Sequence, residues 1–338
     1  MKFQDNFINF SVNFAPYENK KITANLKEKL PKLLKEYPEP SNKGTIKYLA
    51  NNLHIPPENI IIGQGSTEII DQICSVTKRY KQAIIPDPTF WEYKFFSEKA
   101  GKKISLFYLD ENEEFQINLS KLSKELKRDT IVFLCNPNNP TSKLLKKNDL
   151  IKLIRQNPKT FFVIDETYLL FLKDYKNQTL IKEASKLNNL FVVFSLSKLF
   201  SLGGLRIGIG ISNQKIISGI SERQTLFKTP LINQEIIPLL FEDKSWIKKI
   251  RDYIKKERQN MIKKLNKIKG LKVHHSNSNF ILIKCLKDKD LEKELNKKFI
   301  RIRGGEEFRR LGNKWIRISV KDKKSNKILI QAIKQILK

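Results

Sequence analysis

Residues 191–211, FVVFSLSKLFSLGGLRIGIGI, constrain the fold more than any other part of the chain. The first four residues are apolar and mostly β-branched or aromatic, which predicts a buried strand, and the last five predict a second strand. Ser195, Ser197, Lys198, a Gly-Gly turn and Arg206 lie between them. A lysine that directly follows a buried strand is unusual, because most lysines are solvated. Lys198 is therefore the first candidate for a functional residue, and an ordinary solvated lysine is the alternative.

The residues around Lys198 suit one kind of chemistry. A lysine amine can form a Schiff base with an aldehyde cofactor. Hydroxyl groups and an arginine can hold the phosphate of such a cofactor, because a guanidinium offers paired, charge-assisted hydrogen bonds. The rest of the chain has to supply the other parts of such a site.

Three more polar loops follow predicted buried strands. The first is GQGST at 63–67, before an apolar helix, where bare amides at the helix N-terminus can face an anion. The second is NPNNPT at 136–141, in which two prolines fix the loop. The third begins at Asp165, whose carboxylate is costly at a buried strand end unless it meets a cation, such as a protonated ring nitrogen.

These phrases resemble the fold-type I pyridoxal-phosphate (PLP) enzymes of the aminotransferase class I/II family. They are SLSK-x7-R-x-G, NPNNPT and DETY, and they occur in the family's order and spacing over nearly the whole chain. The resemblance is closest to histidinol-phosphate aminotransferases and threonine-phosphate decarboxylases. Two departures stand out, since Ser142 replaces the last glycine of the family's NPNNPTG and Thr167 replaces the usual alanine of DEAY.

The resemblance implies a role for each candidate site residue. Lys198 would hold PLP and transfer a proton, Asp165 would face the pyridinium nitrogen, and Asn139 and Tyr168 would bond the phenolic oxygen. Phe90 would stack on the ring, with Trp91 and Tyr93 as second choices for lining the pocket. The cofactor phosphate would be held by Ser66, Thr67, Ser195, Ser197, Arg206 and, from the partner subunit of a homodimer, Tyr37 in its YPEP turn.

The substrate side of the site is predicted at the two ends of the chain. Five of the twelve arginines lie within 301–317, and Arg303 and Arg317 match the pair that binds a substrate's acidic groups in the family. Residues 4–19 resemble the N-terminal arm that lies over the active site, with Asn13 facing the substrate. The match of the arm is partial, so a plain N-terminal tail remains the alternative.

The predicted fold is α/β, with a mostly parallel sheet between helices in a large domain and a smaller α/β domain. The predicted division is an N-terminal arm with part of the small domain (1–31), the large PLP-binding domain (32–235) and the C-terminal small domain (236–338). The predicted helices are 22–35, 44–54, 91–100, 214–226 and 233–268. The predicted strands are 58–62, 83–85, 103–108, 130–135, 161–164, 191–194, 207–211, 272–274, 279–284 and 315–320.

Composition narrows the classes of function. The 338 residues carry a net charge of +30, but the lysines are spread along the chain without a nucleic-acid motif, so a nucleic-acid partner is not favoured. A positive field instead suits a small anionic substrate. Three dispersed cysteines in apolar segments suit reduced thiols and a cytoplasmic location. Histidine and cysteine spacing predicts no metal site, and no apolar run is long enough for a membrane span.

We expect a PLP-dependent aminotransferase whose small substrate carries a phosphate. Decarboxylation of an amino-acid phosphate on the same scaffold is the first alternative. Some decarboxylases carry a His-Gly-Gly sequence before the arm, and its absence here favours transamination. A basic scaffold or nucleic-acid-binding protein without catalysis is the second alternative, and the full set of Lys198, Asp165, Asn139, Tyr168 and Arg206 argues against it.

Overall fold

The computed structural model describes residues 7–338, so residues 4–6 of the predicted arm and the first six residues of the predicted 1–31 segment lie outside the described residues. A seven-stranded sheet forms the centre of the large domain. Its strands are β2 (Ile60–Gln64), β3 (Gln82–Asp87), β4 (Lys103–Tyr108), β5 (Thr130–Cys135), β6 (Phe161–Asp165), β7 (Leu190–Phe194) and β8 (Ile207–Ile211). The order across the sheet is β2-β8-β7-β6-β5-β3-β4.

The direction of the strands decides where the site forms. The five strands from β7 to β4 are parallel, and β8 is antiparallel to both β7 and β2. The carboxyl ends of β2, β3, β5, β6 and β7 therefore meet the amino end of β8 at one edge. In open α/β sheets, ligands bind at this edge. The polar loops predicted from sequence all lie there.

Helices flank the sheet. Those of the first 221 residues are α1 (Lys20–Leu33), α2 (Lys43–Leu53), α3 (Gly65–Val76), α4 (Glu92–Lys99), α5 (Leu119–Glu125), α6 (Lys147–Gln156), α7 (Tyr175–Gln178), α8 (Ile181–Ala184), α9 (Ser197–Phe200) and α10 (Gln214–Ser221). Helix α3 packs on β2, β7 and β8, and α4 packs on β3 and β4. The apolar faces of these helices cover strands such as β5, β6 and β7, which are buried along their whole length.

A second, antiparallel sheet belongs to the C-terminal part of the chain. Its strands are β9 (Leu271–Val273), β10 (Phe280–Cys285), β12 (Arg303–Gly304) and β13 (Trp315–Ser319), in the order β12-β13-β10-β9. The helices of this part are α11 (Leu231–Glu242), α12 (Lys244–Leu265), α13 (Leu291–Asn296) and α14 (Lys323–Ile336). A parallel pair joins β1 (Ile8–Asn9) of the N-terminal arm to β11 (Ile300–Arg301). The two ends of the chain thus meet in one region.

The predicted α/β class with a mostly parallel sheet is confirmed, whereas some predicted helix bounds are wrong. The predicted helix 233–268 is two helices, because the chain turns at Asp243, whose side chain accepts a hydrogen bond from the Trp246 amide at 3.0 Å and caps α12. Helix α1 begins at Lys20, since Asn19 caps it, and α10 ends at Ser221 rather than at residue 226. The predicted domain boundaries after residues 31 and 235 fall inside α1 and α11, and the division stays a prediction.

Candidate active site

A cavity of about 220 Å³ opens at the ligand-binding edge of the large sheet. It gathers most of the candidate cofactor residues, which come from six separate loops of the chain. Those lining it are Ser66, Thr67, Phe90, Asn139, Asp165, Tyr168, Ser195, Ser197, Lys198 and Arg206, together with Gly65, Glu92, Tyr93, Cys135, Thr167, Gly203 and Ile207. The sheet topology alone brings these loops together.

Lys198 lies in the short helix α9, four residues after the end of β7. Burial and the nearby cations Arg317 and Arg206 lower the pKa of its amine to about 8, while Asp165 and Glu92 act in the opposite direction. Because a lysine with this pKa is partly neutral near neutral pH, it can act as a nucleophile or a base. Its backbone carbonyl accepts a hydrogen bond from the Ala15 amide at 2.9 Å, which ties the arm to the site.

Asp165 is the last residue of β6 and is almost fully buried. One carboxylate oxygen accepts a hydrogen bond from the Tyr93 hydroxyl at 2.7 Å, and the other accepts one from the Thr167 amide at 2.9 Å. Burial raises the pKa of Asp165, and these hydrogen bonds partly offset that rise. The carboxylate is thus oriented toward a cavity in which a cationic partner would relieve its burial.

A tight glycine-lined corner forms where β2 meets α3 and β8. Gly65 has φ +83°, and a Cβ atom there would lie 2.5 Å from Nη2 of Arg206. A Cβ atom on Gly208 would lie 2.3 Å from the backbone of Gly65. Only glycines allow Arg206 and the start of α3, with Ser66 and Thr67, to approach this closely. Helix N-terminal amides, hydroxyls and a guanidinium together form an anion-binding corner.

The two serines of the SLSK phrase lie next to this corner. The hydroxyls of Ser195 and Ser197 both lie within hydrogen-bond distance of the Ile207 carbonyl, at 3.3 and 3.1 Å. A serine hydroxyl has one proton and rotates freely about its C–O bond. Each serine can therefore turn its proton from the Ile207 carbonyl toward a phosphate oxygen at little cost.

A second, smaller cavity of about 110 Å³ adjoins the first. It shares Phe90, Asn139, Tyr168 and Lys198 with the first cavity. Its other lining residues are Ser11, Val12, Asn13, Trp91, Arg303, Glu307, Phe308 and Arg317. The three predicted substrate residues therefore lie together, and they lie beside Lys198.

Arg317 is the buried cation of this second cavity. Its guanidinium donates to Asn139 Oδ1 at 2.6 Å and to the Ser11 carbonyl at 2.5 Å, while its Nε has no partner among the described residues. Burial lowers the pKa of Arg317 to about 10, so the side chain stays charged at neutral pH. No ion pair of Arg317 with a carboxylate is found in the described part of the chain, which leaves its charge available to an anion.

Arg303 differs from Arg317 although the two are direct neighbours on β12 and β13. Its guanidinium already forms an ion pair with Glu307, and both side chains are partly exposed. An anion that binds Arg303 has to compete with this carboxylate. Asn13 is buried in the same region, and its amide nitrogen donates to the Tyr168 hydroxyl at 3.2 Å.

Tyr37 is the candidate that lines neither cavity. Its side chain is 87% exposed and packs edge-to-face on Phe227, with ring centroids 5.7 Å apart. Within one chain Tyr37 therefore does not contribute to the cofactor cavity. Its predicted role requires a second subunit.

Sequence reasoning missed some residues that the site contains. The sequence suggests Tyr93 only as a second choice for lining the pocket. It does not reveal the hydrogen bond of Tyr93 to Asp165 or the fully buried ring that stacks on Phe133. Glu92 also faces the cofactor cavity, where burial raises the pKa of its carboxyl group. Glu307 was missed as well, although its place four residues after Arg303 was a signal for an ion pair.

The residues present fit PLP. The first cavity is lined by the anion corner, by a buried carboxylate and by a lysine of lowered pKa. A phosphate, a protonated ring nitrogen and an aldehyde are the groups that these three features suit. A larger cleft of about 590 Å³ between residues 107–118 and Arg310, Leu311 and Trp315 contains none of the predicted site residues.

Among residues 7–338, no group of three or more His, Cys, Asp or Glu side chains is placed to hold a metal ion. Within the same residues, no helix has the length and apolar character needed to cross a membrane. Cys74, Cys135 and Cys285 are buried and unpaired.

The known proteins that this chain resembles in sequence and in structure point to the same family. A histidinol-phosphate aminotransferase from Caldanaerobacter subterraneus subsp. tengcongensis is 30% identical, over 98% of this chain and 96% of the relative. A putative threonine-phosphate decarboxylase from the same organism is 30% identical, over 89% and 83%. The crystal structure of the histidinol-phosphate aminotransferase from Clostridium acetobutylicum superposes with a TM-score of 0.88 at 27% identity, covering 97% of this chain and 98% of that one.

The family model for aminotransferase class I and II matches residues 5–333, which is nearly the whole chain. The order of the motifs, the sheet topology and the two adjoining cavities agree with this match. The chain therefore belongs to the aminotransferase class I and II family and has the architecture of the fold-type I enzymes.

Proposed function

We propose that this protein is a PLP-dependent aminotransferase that acts on a small phosphorylated amine or amino acid, or on its keto counterpart. The observation that carries the proposal is the position of Lys198, which lines both the cavity with the anion corner and the cavity with Arg317. One lysine can thus serve a cofactor on one side and a substrate on the other. Family membership and the named relatives support the same reaction class.

The cofactor is pyridoxal phosphate, which supplies an aldehyde that accepts the substrate amine and a ring that takes up an electron pair. The residues that would hold its phosphate are Ser66, Thr67, Ser195, Ser197 and Arg206, which all line the first cavity. Phe90 would lie against the ring, and Asn139 and Tyr168 would bond its phenolic oxygen. Asp165, oriented by Tyr93, would stabilise a proton on the ring nitrogen, because no cationic side chain among residues 7–338 contacts its buried carboxylate.

Lys198 is the acid and base of the reaction. Its Nζ would hold the cofactor and, once the substrate amine has released it, would take the proton from the substrate's α-carbon and pass it to the cofactor. The pKa of about 8 supports this role, since both protonation states are populated near neutral pH. The Lys198 ammonium lies 4.9 Å from the Phe14 ring centroid, so the arm covers the lysine and helps to exclude water.

The substrate is bound through its anionic group. Arg317 is the main contact, because its charge is buried and has no carboxylate partner among the described residues. Arg303 and Asn13 complete the same cavity. An arginine fork matches a phosphate or carboxylate with two charge-assisted hydrogen bonds, and this favours a phosphorylated substrate.

We also propose a homodimer in which Tyr37 completes the cofactor site of the partner. The observation that supports this is a large aromatic side chain that is 87% exposed, beside the exposed Phe227. Three buried unpaired thiols support a cytoplasmic location. Sedimentation at micromolar concentration should give a dimer, and a fully active monomer would overturn the shared site.

Decarboxylation of an amino-acid phosphate is the second candidate. A relative named as a putative threonine-phosphate decarboxylase covers 89% of the chain at 30% identity. The two reactions need the same lysine, aspartate and anion site. They differ in which bond to the α-carbon is broken, and this depends on how the anion site orients the substrate.

One experiment separates the two reactions. The PLP-loaded enzyme is incubated with candidate phosphorylated amines and amino acids as sole substrate. A transaminase forms keto product equal to the amount of enzyme and stops until a keto acid is added. A decarboxylase releases carbon dioxide continuously and needs no acceptor. If no candidate gave either keto product or carbon dioxide, the proposed substrate class would be contradicted.

A further inference from the structure

Ser142 ends the loop that carries Asn139, and its position is unusual. It is fully buried and has φ +55°, a left-handed conformation that favours glycine. A serine in this conformation costs conformational free energy, and its hydroxyl is the feature that can compensate for this cost. Ser142 does not line the cofactor cavity.

The Ser142 side chain instead bonds the turn between β9 and β10. Its Oγ accepts a hydrogen bond from the Asn277 amide at 2.9 Å and lies 3.0 Å from Oγ of Ser276. The Ser142 carbonyl accepts a further bond from Nδ2 of Asn277 at 3.2 Å. Ser142 therefore joins a loop of the large sheet to a turn of the antiparallel sheet.

The hydroxyl of Ser276 lies between two acceptors in this cluster. Its Oγ lies 2.5 Å from the Phe280 carbonyl and 3.0 Å from Oγ of Ser142, and it can donate its one proton to either of them. Ser276 Oγ also accepts from the Ser278 amide at 3.2 Å. The buried hydroxyls of Ser142 and Ser276 thus belong to one hydrogen-bonded cluster that joins the loop to the turn.

The same turn continues into the substrate cavity. Asn279 donates to the Asn13 carbonyl at 3.0 Å, and the Asn13 side chain donates to the Tyr168 hydroxyl at 3.2 Å. At the other end of the loop, Asn139 accepts from Arg317. The loop that ends at Ser142 is thus bonded to the antiparallel sheet at two points, one inside the site and one behind it.

We propose that Ser142 is a positioning residue that fixes the substrate-binding half of the site against the catalytic half. The inference rests on the proposed function, because it assigns Arg317 and Asn13 to substrate binding. Lys198 and Asp165 lie on the large sheet, whereas Arg317 and Asn13 lie on the antiparallel sheet and the arm. The seam between them includes the contact of Ser142 with Ser276 and Asn277, which is directly behind the site. Loosening the seam at this point weakens binding of a substrate that spans both halves and leaves the proton transfer largely intact.

Charged pairs also cross this seam, and they supply a matched control. Glu111 forms ion pairs with Lys272 at 3.1 Å and Lys284 at 2.6 Å, on the same two strands as the turn. These side chains are partly exposed, so each pair stabilises the seam only modestly. They keep the two parts docked when the Ser142 hydroxyl is removed. Glu111→Gln loosens the seam away from the site and should not affect substrate binding.

The test uses the PLP-loaded enzyme with Ser142→Gly, Ser276→Ala and the double variant. Glycine suits the left-handed backbone, so this change removes the hydroxyl without adding strain. Each single variant should raise KM for the phosphorylated substrate roughly fivefold, the effect of about one lost buried hydrogen bond, with kcat changed less than about twofold. The double variant should raise KM no more than either single variant does, because both substitutions remove the same link. Cofactor affinity should stay within about threefold.

Hydrogen exchange of the cofactor-free protein gives a reading that does not depend on activity. The amides of Asn277 and Ser278, which donate to the two hydroxyls, should exchange roughly fivefold faster in Ser142→Gly. Faster exchange with unchanged KM would overturn the proposal and leave Ser142 a purely structural residue. An equal rise of KM in Glu111→Gln would overturn it too, since the whole seam would then be responsible. If the wild type turned over no phosphorylated amine, the proposed function would fail separately. Inorganic phosphate titrated into the same variants would still decide the role of Ser142.

Discussion

The two cavities of the site share four side chains but are built in different ways. All lining residues of the cofactor cavity lie between Gly65 and Ile207, on loops that leave one sheet at one edge. The second cavity, which contains Arg317, combines the arm at residues 11–13, the large sheet and residues 303–317 of the antiparallel sheet. The first depends on the topology of a single sheet, and the second depends on how three parts of the chain dock. Substitutions in the two cavities should therefore fail in different ways.

The largest effect is expected at Lys198. Lys198→Ala should lower turnover by about 10⁴-fold or more, because both the cofactor attachment and the acid–base group are lost. The fold should remain, since burial disfavours the charged form of the Lys198 amine and lowers its pKa, so that removing the amine takes away a buried cation that is costly to the fold. Borohydride reduction of the wild-type enzyme followed by peptide mapping should label Lys198, and a label on another lysine would refute the assignment.

Asp165 tests the other side of the cofactor cavity. Asp165→Asn keeps the size and shape of the side chain but has one acceptor oxygen instead of two. The neutral amide cannot stabilise a proton on the ring nitrogen, so turnover should fall by several orders of magnitude. PLP should still bind, because the anion corner is intact. Turnover and a cofactor titration measure the two effects separately, and near-normal turnover would show that Asp165 is not the ring partner.

Arg317 should affect substrate binding without affecting the cofactor. Arg317→Lys removes the fork geometry and leaves the anion poorly paired, which should cost roughly 2–4 kcal/mol, or a 30- to 1000-fold drop in kcat/KM. PLP affinity should barely change. Loss of PLP with unchanged substrate affinity would mean that the two anion sites had been exchanged in this assignment.

The smallest effect is expected at Arg303, the neighbour of Arg317 on the next strand. Because Arg303 is partly exposed and already paired with Glu307, Arg303→Lys should lower kcat/KM by no more than about fivefold. Glu307→Gln is the matched control, since it frees Arg303 and should lower KM for a phosphorylated substrate by a small factor. A drop at Arg303 as large as that at Arg317 would show that the two arginines act as one clamp.

The structure brings ten of the eleven residues predicted for the cofactor into one cavity, for a physical reason, while their roles toward a cofactor stay predictions. These ten lie in loops that follow or precede strands of the large sheet, and parallel strands bring their carboxyl ends to one edge. Lys198, Asp165 and Asn139 could therefore be placed near one another from local pattern alone. The apolar strand runs also predicted the α/β class, which the structure and the family match confirm.

Other features followed from local chemistry that the apolar pattern did not reveal. The break at Asp243 depends on a side-chain cap, so the continuous lysine-rich pattern around it predicted one helix where there are two. The Tyr93–Asp165 bond joins residues 72 positions apart, and no spacing rule reports such a contact. Tyr37 lies outside both cavities of a single chain, although its motif predicts a place at the cofactor.

The sequence by itself determined the family, the sheet and the identities of the groups at its ligand-binding edge, because these depend on residue type and on the order of strands. Tertiary structure alone decided the electrostatic state of those groups. Burial beside Arg317 and Arg206 lowers the pKa of Lys198, and Glu307 makes Arg303 unlike Arg317 although both match the same motif. It also gave Ser142 a partner, since the turn that it bonds lies more than a hundred residues further along the chain. Such properties depend on distances between distant segments, which only the folded chain defines.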